Sequence, residues 1–365
     1  MEVLAHQKKS PEQADSWERI RRRLAAGHDL GQRESAWIMA QLANDQAPKH
    51  SLMAFLVALN AKGISAREVE LLLHELYRHS TELSISGTFV DLAGTGGDRA
   101  KTVNISTMAA IVVAAAGTTV VKHGGRASSS ASGTADVLEQ LGVVVDLPGP
   151  AVTEVAANAG ITFCSGSRFH PVLRHAAPAR RELAVPTVFN ILAPLANPAR
   201  PRYQCLGVAN VRMAPVAAAV LADRGTEGLV VRGDDGLDEL TTVTTSQVWV
   251  VRKGKVRHLV IDPTTLGISQ ADAAEIRGGD ATHNAEVVRQ VLDGARGPVR
   301  DTVLLNAAAA IVATGLDDSP LSDQLAAALI HSAQAIDSGQ AATTLTNWAQ
   351  ASQTQWNTTN GQTSA

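Results

Sequence analysis

The sequence predicts an α/β protein in which a small N-terminal helical bundle domain precedes a larger domain with a mostly parallel sheet flanked by helices. The first eighty residues show only helical hydrophobic periodicity. From Thr88 onward, short apolar strands alternate with helices, a pattern typical of parallel strands joined by right-handed crossovers. Aromatic residues make up only 3% of the 365 residues. The core must therefore be built from Ala, Val, Leu and Ile, which suit closely packed helices and parallel strands.

Four amphipathic helices are expected in the N-terminal part, over residues 16–26, 33–43, 51–60 and 66–78. Polar or glycine-containing joints such as KGIS separate them. Each helix carries an apolar stripe, and we expect these stripes to be available for contact with another subunit.

In the α/β part we expect strands over residues 88–93, 118–122, 143–145, 161–164, 204–208, 228–232 and 247–252. Intervening helices are expected near residues 107–116, 135–141 and 152–159, and a helical segment near 169–193. The predicted domains are residues 1–82 with a returning segment of about 169–195, and residues 83–168 with 196–349. Residues 350–365 are rich in Thr, Gln, Asn and Ser, so we expect a frayed, flexible tail.

Composition excludes several classes of protein. The formal net charge is −3, which argues against a protein that coats nucleic acid. The longest purely apolar run, residues 108–116, is far short of the roughly 20 residues that a membrane helix needs, and the first residues contain no apolar core of a secretory signal. Cys164 and Cys205 are too few and too isolated for a disulfide framework or a zinc site. We therefore expect reduced thiols and a cytoplasmic protein.

A glycine-rich loop, GTGGD at residues 94–98, directly follows the first predicted strand. Glycines allow backbone N–H groups to approach a ligand closely, and a loop of such groups binds phosphate oxygens. A tight strand-to-helix turn would have the same composition. The loop has neither the GxGxxG spacing of dinucleotide-binding proteins nor the GK[ST] of a P-loop.

Two further motifs favour a bound anion. NIST, residues 104–107, stands at the start of the next helix, where its side chains would cap the helix while unpaired N–H groups face the anion. KHGGRASSS, residues 122–130, follows the second strand and combines two cations, two glycines and three consecutive serines. Alone, these motifs would be an ordinary capped helix and a solvated basic turn. Because loops after successive parallel strands share one edge of a sheet, we expect all three motifs to meet in one crevice suited to a sugar with several phosphates.

Adjacent carboxylates in GDDGLDEL indicate a Mg²⁺ site. Asp238 and Glu239 are one candidate pair, but Asp234 and Asp235 lie close by, and a solvated acidic turn would have the same sequence. A basic helical segment contains Arg168, His170, Arg174, His175, Arg180 and Arg181. One arginine from it would pair bidentately with a substrate carboxylate if it reached the crevice. No covalent nucleophile with its base is evident, so no catalytic residue of that kind is assigned.

The order of these motifs resembles the anthranilate phosphoribosyltransferase family. After GTGGD, NIST and KHGxR with its serines come PARREL, PTVFNILAPLANPA and finally the DE pair, over a span from about Ile20 to about Gly315. The resemblance implies a homodimer with the fold of pyrimidine nucleoside phosphorylases. It also implies transfer of 5-phosphoribosyl from 5-phosphoribosyl 1-pyrophosphate (PRPP) to anthranilate, with release of pyrophosphate, in the second step of tryptophan biosynthesis.

The resemblance also implies a set of site residues. The phosphoribosyl donor would contact Gly94, Gly97, Asp98, Thr102, Asn104, Ile105, Ser106, Thr107, Lys122, His123, Gly124, Gly125, Arg126, Ala127, Ser128, Ser129, Ser130 and Thr134. Anthranilate would contact Gly94, Gly125 and Arg180, with Arg180 addressing its carboxylate. Ser106, Asp238 and Glu239 would bind two Mg²⁺ ions per subunit. Neither nucleic acid nor a membrane is expected as a partner.

Two positions depart from the family pattern. Gly125 stands where the family usually has an Asn near the acceptor, and Ala193 replaces the glycine of NxLGPL. Gly125 has no side chain to donate a hydrogen bond, a loss of about 1–3 kcal/mol if nothing compensates. Two alternatives therefore stay open: a related phosphoribosyltransferase with a different amine acceptor, and a non-catalytic relative that binds phosphoribosyl compounds or nucleic acid. The intact GTGGD, NIST and DE motifs disfavour the non-catalytic relative.

Overall fold

The computed structural model describes residues 11–126 and 132–361. Four helices form the N-terminal bundle, close to their predicted bounds: α1 (Pro11–Ala25), α2 (Gln32–Ala43), α3 (Lys49–Lys62) and α4 (Ala66–Arg78). Ser65 starts α4 with a capping box, because its Oγ accepts from the Glu68 N–H at 3.3 Å while the Glu68 carboxylate accepts from the Ser65 N–H at 3.0 Å.

The apolar stripes of the bundle pack mainly against one another. The Trp17 ring of α1 contacts Trp37 of α2 at 5.0 Å and Phe55 of α3 at 6.0 Å between ring centroids. The sequence-based expectation that these stripes would be available to another subunit is therefore wrong for most of their length. Val57 of α3, which is 51% exposed, is an exception.

A seven-stranded sheet carries the larger part of the molecule. Its strands are β1 (Phe89–Gly94), β2 (Thr119–Gly124), β3 (Ile161–Ser165), β4 (Tyr203–Gly207), β5 (Glu227–Gly233), β6 (Ser246–Arg252) and β7 (Lys255–Ile261). They lie in the order β3-β2-β1-β4-β5-β6-β7, parallel from β3 to β5 and antiparallel from β5 to β7. The mostly parallel sheet agrees with the predicted fold class.

Helices cover both faces of the sheet. They are α5 (Ile105–Ala115), α6 (Thr134–Gln140), α7 (Gly149–Ala159), α8 (Gly166–Phe169), α9 (Pro171–Leu183), α10 (Val188–Leu195), α11 (Ala214–Asp223), α12 (Ala281–Leu292), α13 (Pro298–Ala313), α14 (Leu321–Asp337) and α15 (Gln340–Gly361). Side chains alternate along the strands, so that Leu229 and Val231 of β5 enter one core while Val230 enters the other. The second core continues into the bundle, since α9 packs on α2 and α3, and α10 packs on α3 and α4.

Strand pairing brings the loops of interest together. Phe89 of β1 pairs with Thr119 of β2, and Gly94 of β1 pairs with Gly207 of β4. The carboxyl ends of β1, β2 and β4 therefore lie side by side at one edge, and the loops that follow β1 and β2 start from neighbouring points.

Two strand predictions fail. Residues 143–145 form a loop, and the Val144 N–H donates at 2.9 Å to the Ser352 Oγ of α15. A helix thus satisfies the hydrogen bond that a neighbouring strand would have made. The strand β7 was not predicted because its charged sequence, KVRHLVI, lies exposed at the edge of the sheet. Lys253 and Gly254, both with positive φ, form the two-residue turn between β6 and β7.

The predicted frayed tail from Gln350 is also wrong for the part that the structure describes. Helix α15 continues to Gly361 and packs on α7 and α5. Trp348 is 1% exposed and Ser352 is buried, so even this polar sequence has an inward face. Among the described residues, no helix combines the length and apolar character needed to cross a membrane.

Candidate active site

The GTGGD loop follows β1 and is held from two sides. Its Thr95 N–H donates to the Gly207 carbonyl at 3.0 Å, and its Gly96 N–H donates to Asp238 Oδ2 at 2.7 Å. Gly96 and Gly97 have φ of 63° and 85°, a conformation that glycine adopts without strain. The loop is therefore anchored to β4 and to the acidic segment, with backbone groups at the surface of a crevice.

NIST begins α5 as predicted, but its side chains do not cap the helix in the expected way. Asn104 occupies the N-cap position without a side-chain cap hydrogen bond, because its carboxamide bonds to Ser132 and Asn284 instead. Ile105 and Thr107 are 2% and 0% exposed, and Thr107 does not line the crevice. Their backbone N–H groups donate to the Val103 carbonyl at 2.7 Å and to the Asn104 carbonyl at 3.1 Å, so both groups are already used within the protein. Ser106 faces the crevice, where its Oγ accepts from Lys122 Nζ at 3.2 Å.

The KHGGR segment ends β2 and turns into the crevice. Lys122 is 1% exposed, and its Nζ donates to the Leu92 carbonyl at 2.6 Å as well as to Ser106. Burial lowers its pKa, while the carboxylates of Asp91 and Glu239 oppose that effect. Lys122 thus supplies positive charge behind Ser106 rather than an open contact with the donor.

The neighbouring side chains differ in accessibility. The His123 ring is buried 5.3 Å from His170, and burial together with His170 holds its pKa well below the usual value, so the ring is neutral. Arg126 lines the crevice but pairs with Asp136 and Glu139 of α6. Gly124, Gly125, Thr102 and Thr134 also line the crevice. The predicted contacts Ala127, Ser128, Ser129 and Ser130 lie outside the described residues.

The structure resolves which acidic pair faces the crevice. Asp238 and Glu239 line it together with Asp98. Asp234 instead accepts a hydrogen bond from Gln247 at 2.9 Å, and Asp235 accepts one from Thr241 at 2.8 Å. Neither Asp234 nor Asp235 lines the crevice.

The electrostatics of the two crevice carboxylates favour a bound cation. Burial raises the pKa of Asp238, and the neighbouring Asp98 raises it further. Burial also raises the pKa of Glu239, and the charge of Asp238 adds to this effect. The N–H of Ser106, at the start of α5, acts in the opposite direction by hydrogen-bonding to Glu239. Hard oxygen donors that repel one another when ionised are the set that Mg²⁺ stabilises.

Two glycines allow the acidic segment to approach the sheet. A Cβ at Gly207 would lie 1.6 Å from the Asp238 carbonyl oxygen, and a Cβ at Gly94 would lie 2.3 Å from Asp238 Oδ2. No larger residue fits at Gly207 unless the backbone moves. The sequence reasoning missed Gly207, although a glycine at the carboxyl end of a strand is a recognisable signal of close backbone approach.

Arg180 reaches the same crevice from α9. Its guanidinium lies 5.9 Å from the centroid of the Phe189 ring and forms no ion pair with any described carboxylate. Burial lowers its pKa. Of the six basic residues of this segment, Arg180 lines the crevice, whereas His175 bonds to the Leu42 carbonyl and Arg168 approaches Asp146.

The GTGGD loop, Ser106, the carboxylate pair and Arg180 meet in one cavity of about 250 Å³. A second cavity of about 590 Å³ adjoins it across the GTGGD loop and is lined by residues of the bundle, of α10 and of the segment after β4. Asn190 of α10 borders both, and the sequence reasoning missed it although it lies within PTVFN. Among the described residues, no group of three or more His, Cys, Asp or Glu side chains forms a complete metal site by itself.

Comparisons with known proteins agree with this arrangement. Residues 86–342 match the sequence model of the glycosyl transferase family a/b domain, and residues 19–80 match that of the helical bundle domain of the same family. The chain is 52% identical to the anthranilate phosphoribosyltransferase of Streptomyces griseus, over 93% of this chain and 96% of that protein. It is 54% identical to that of Acidothermus cellulolyticus over the same shares of the two chains. The chain belongs to the anthranilate phosphoribosyltransferase family.

Solved structures of anthranilate phosphoribosyltransferases have the same fold. The enzyme of Thermus thermophilus superposes with a TM-score of 0.83 at 34% identity, covering 92% of this chain and 99% of that one. The Saccharomyces cerevisiae enzyme, in complex with PRPP and Mg, superposes with a TM-score of 0.84 at 24% identity, covering 93% and 98%. The predicted family and fold class are confirmed, and the relatives favour neither alternative function.

Proposed function

We propose that this chain transfers the 5-phosphoribosyl group from PRPP to anthranilate, releases pyrophosphate and so performs the second step of tryptophan biosynthesis. One observation supports the proposal: the three loops predicted to bind an anion, a carboxylate pair and Arg180, which forms no ion pair with a described carboxylate, line a single cavity of about 250 Å³. Relatives about half identical over nearly the whole chain carry the name of this enzyme.

In this proposal the donor phosphates bind to backbone N–H groups. The loop at residues 94–98 supplies these groups, and the dipole at the start of α5 adds a favourable field. Gly124, Gly125 and Thr134 border the remaining part of the cavity. Because Arg126 is paired with α6, its role on this side is to hold the turn after β2 in place.

The residues present fit Mg²⁺. Asp238, Glu239 and the Ser106 hydroxyl offer hard oxygen donors in a cavity where burial and like-charge repulsion, from Asp98 and Asp238 respectively, raise the pKa of both carboxyl groups. We propose that these three residues hold two Mg²⁺ ions per subunit. When bound, Mg²⁺ would neutralise charge on the pyrophosphate leaving group.

The reaction exchanges one bond for another at C1 of the ribose. The bond from C1 to the pyrophosphate oxygen breaks, the anthranilate nitrogen bonds to C1, and the nitrogen loses one proton. The transition state is dissociative and resembles an oxocarbenium ion, so the protein must stabilise the departing negative charge and aim the amine. An aromatic amine is nucleophilic without prior deprotonation, which is consistent with a site that has no assigned base.

Arg180 is proposed to aim the acceptor by pairing with the anthranilate carboxylate. We expect Arg180→Ala to raise the KM for anthranilate by roughly ten- to a hundredfold, because a charge-assisted, bidentate pair is lost. The KM for PRPP should change much less. Steady-state kinetics with each substrate varied in turn make this test, with Arg181→Ala as the control on the same helix. Equal effects on both KM values would contradict the assigned role.

Three broader features are proposed with the function. Residues 1–82 and the segment of about 169–195 form one domain, and residues 83–168 and 196–349 form the other. The first domain closes over the cavity and excludes water.

The protein is proposed to be a cytoplasmic homodimer. Sedimentation or light scattering measures the oligomeric state, and a monomer at micromolar concentration would refute the dimer.

A direct assay tests the central proposal. Anthranilate is fluorescent, so its consumption can be followed in the presence of PRPP and Mg²⁺. We expect turnover that requires all three components and stops when Mg²⁺ is chelated. Binding of PRPP without turnover would instead favour a non-catalytic relative, and turnover only with another amine would favour a related transferase.

A further inference from the structure

A buried carboxamide lies behind the donor-binding loops, outside the set that the sequence motifs indicated. Asn284 sits in the first turn of α12 and is 2% exposed. Its Nδ2 donates to Asn104 Oδ1 at 2.8 Å and to Ser132 Oγ at 2.9 Å, and its Oδ1 accepts from the Gly279 N–H at 2.8 Å. Both donors and the acceptor of the carboxamide are therefore used.

The two partners of Asn284 belong to different loops of the cavity. Asn104 starts α5, after the β1 loop, and Ser132 lies at the end of the segment that follows β2, just before α6. The Ser132 Oγ also donates to Asn104 Oδ1 at 3.2 Å, so the three side chains close a triangle. Asn284 is 180 residues from Asn104 and 152 from Ser132 along the chain.

Backbone contacts beside Asn284 fix only one of these loops. The Val103 N–H donates to the Ile276 carbonyl at 3.1 Å, and the Gly278 N–H donates to the Lys101 carbonyl at 2.8 Å. Gly278 must be a glycine for this packing, because a Cβ there would lie 2.7 Å from the Thr102 carbonyl oxygen and 2.8 Å from Asn284 Oδ1. The Asn284 side chain extends this attachment to the loop after β2.

We infer that Asn284 is a positioning residue for the phosphoribosyl donor, an inference that rests on the proposed function. By joining the two loops, it sets the spacing between the first turn of α5 and the start of α6. Both border the cavity that PRPP is proposed to fill. Asn284 does not border the cavity, and Arg180 lies elsewhere on its wall, so a loss of this link should affect the donor and leave the acceptor nearly unchanged.

Only a carboxamide satisfies this position. Its Nδ2 faces two oxygen atoms that accept, and its Oδ1 faces a backbone N–H. An aspartate of the same shape would place an acceptor oxygen against Asn104 Oδ1. A leucine would leave the half-buried Asn104 and the buried Ser132 without this partner.

The test compares Asn284→Leu and the isosteric Asn284→Asp with the wild type. We expect each variant to raise the KM for PRPP, and the Kd for PRPP with Mg²⁺ measured by calorimetry, roughly tenfold or more, since two hydrogen bonds are lost. The KM for anthranilate should change less than about threefold. Ser352→Ala is the matched control, because it removes a buried side-chain hydrogen bond, between α15 and Val144, from residues that do not line the cavity.

Three results would overturn the inference: an unchanged PRPP affinity in a folded variant, equal changes in both KM values, or the same PRPP defect in Ser352→Ala. If Asn284→Leu does not fold, Asn284→Asp decides. A Ser132→Ala variant adds a second check, because its effect and that of Asn284→Leu should be strongly non-additive if both act through one link. Failure of the wild type to consume anthranilate would refute the proposed function, while the PRPP calorimetry would still test Asn284.

Discussion

Asp238 and Glu239 are held where their charged forms are disfavoured. Burial raises the pKa of both carboxyl groups, and Asp98 and Asp238 respectively add like-charge repulsion. The Gly96 and Ser106 N–H groups offset only part of this effect. Ionising both carboxyl groups is therefore electrostatically unfavourable in the metal-free site, and a divalent cation bound there would offset this repulsion.

This cost predicts a pH dependence of stability. Because both pKa values are higher in the folded state than in the unfolded state, the two groups favour folding most below their unfolded pKa of about 4. This contribution to the free energy of unfolding is lost as pH rises through the folded pKa values. Asp238→Asn with Glu239→Gln cannot ionise. We expect the metal-free double variant to gain stability relative to the wild type between pH 5 and pH 9, measured by denaturant unfolding with a chelator. A pH-independent difference would contradict the shifted pKa values.

The same carboxylates are expected to be essential for Mg²⁺-dependent turnover. Asp238→Ala with Glu239→Ala should abolish activity while the circular dichroism spectrum stays that of the wild type, because two carboxyl groups at the cavity wall are removed and neither belongs to the apolar core. An active double variant would remove the metal assignment for these residues.

Gly125 offers a gain-of-function prediction. No heavy atom of the described residues lies within 4 Å of a Cβ placed there, and its φ is not in the left-handed region. We therefore expect Gly125→Asn to fold and to lower the KM for anthranilate by about fivefold, the worth of roughly one hydrogen bond. An unchanged or higher KM would show that the acceptor does not use this position.

The sequence could predict which residues line the site where a local motif is sufficient. It could not do so where contacts between distant parts of the chain determine the position of a side chain. The sequence left Asp234 and Asp235 as alternatives to the pair that lines the crevice, because four acidic residues in one turn cannot be distinguished locally. In the structure Gln247 donates to Asp234 and Thr241 donates to Asp235. The predicted capping of α5 by the Asn104 side chain was wrong for the same reason. Its partner Asn284 is 180 residues away and is invisible to local reasoning.

At the scale of elements, the buried parallel strands could be predicted, whereas the exposed strand β7, the loop at residues 143–145 and the polar helix α15 could not. β1 to β5 are short apolar runs between turn signals, so their periodicity is unambiguous. β7 has an exposed, charged sequence, and residues 143–145 look like a strand although α15 takes their hydrogen bond. Helix α15 itself is polar on most sides, and its burial depends on the surface that α5 and α7 offer it.

The end of β4 is expected to tolerate no side chain. Gly207→Ala would place a Cβ 1.6 Å from the Asp238 carbonyl oxygen, so either β4 or the acidic segment must move. We expect a loss of roughly 1–3 kcal/mol in unfolding free energy together with a large loss of Mg²⁺-dependent activity. Gly315→Ala is the control, because no described heavy atom lies within 4 Å of its Cβ. Similar effects of the two substitutions would refute the close-approach argument.

At the scale of the whole molecule, ligand binding should couple the elements that surround the cavity. PRPP with Mg²⁺ at a hundredfold excess over Kd stabilises the folded state by about 2.7 kcal/mol, which raises Tm by roughly 3–8 °C. Thermal unfolding with and without both ligands measures the shift. The Asp238→Asn, Glu239→Gln double variant should show little of it, and an equal shift in that variant would place donor binding elsewhere.

The position of β7 has a consequence for solubility. It forms one border of the sheet, and its outward sequence presents Lys255, Arg257 and His258 to solvent. The positive charges of Lys255 and Arg257 along this border oppose its pairing with a second border of the same kind. The charged residues that made β7 hard to recognise thus disfavour joining of this border to the same border of another molecule.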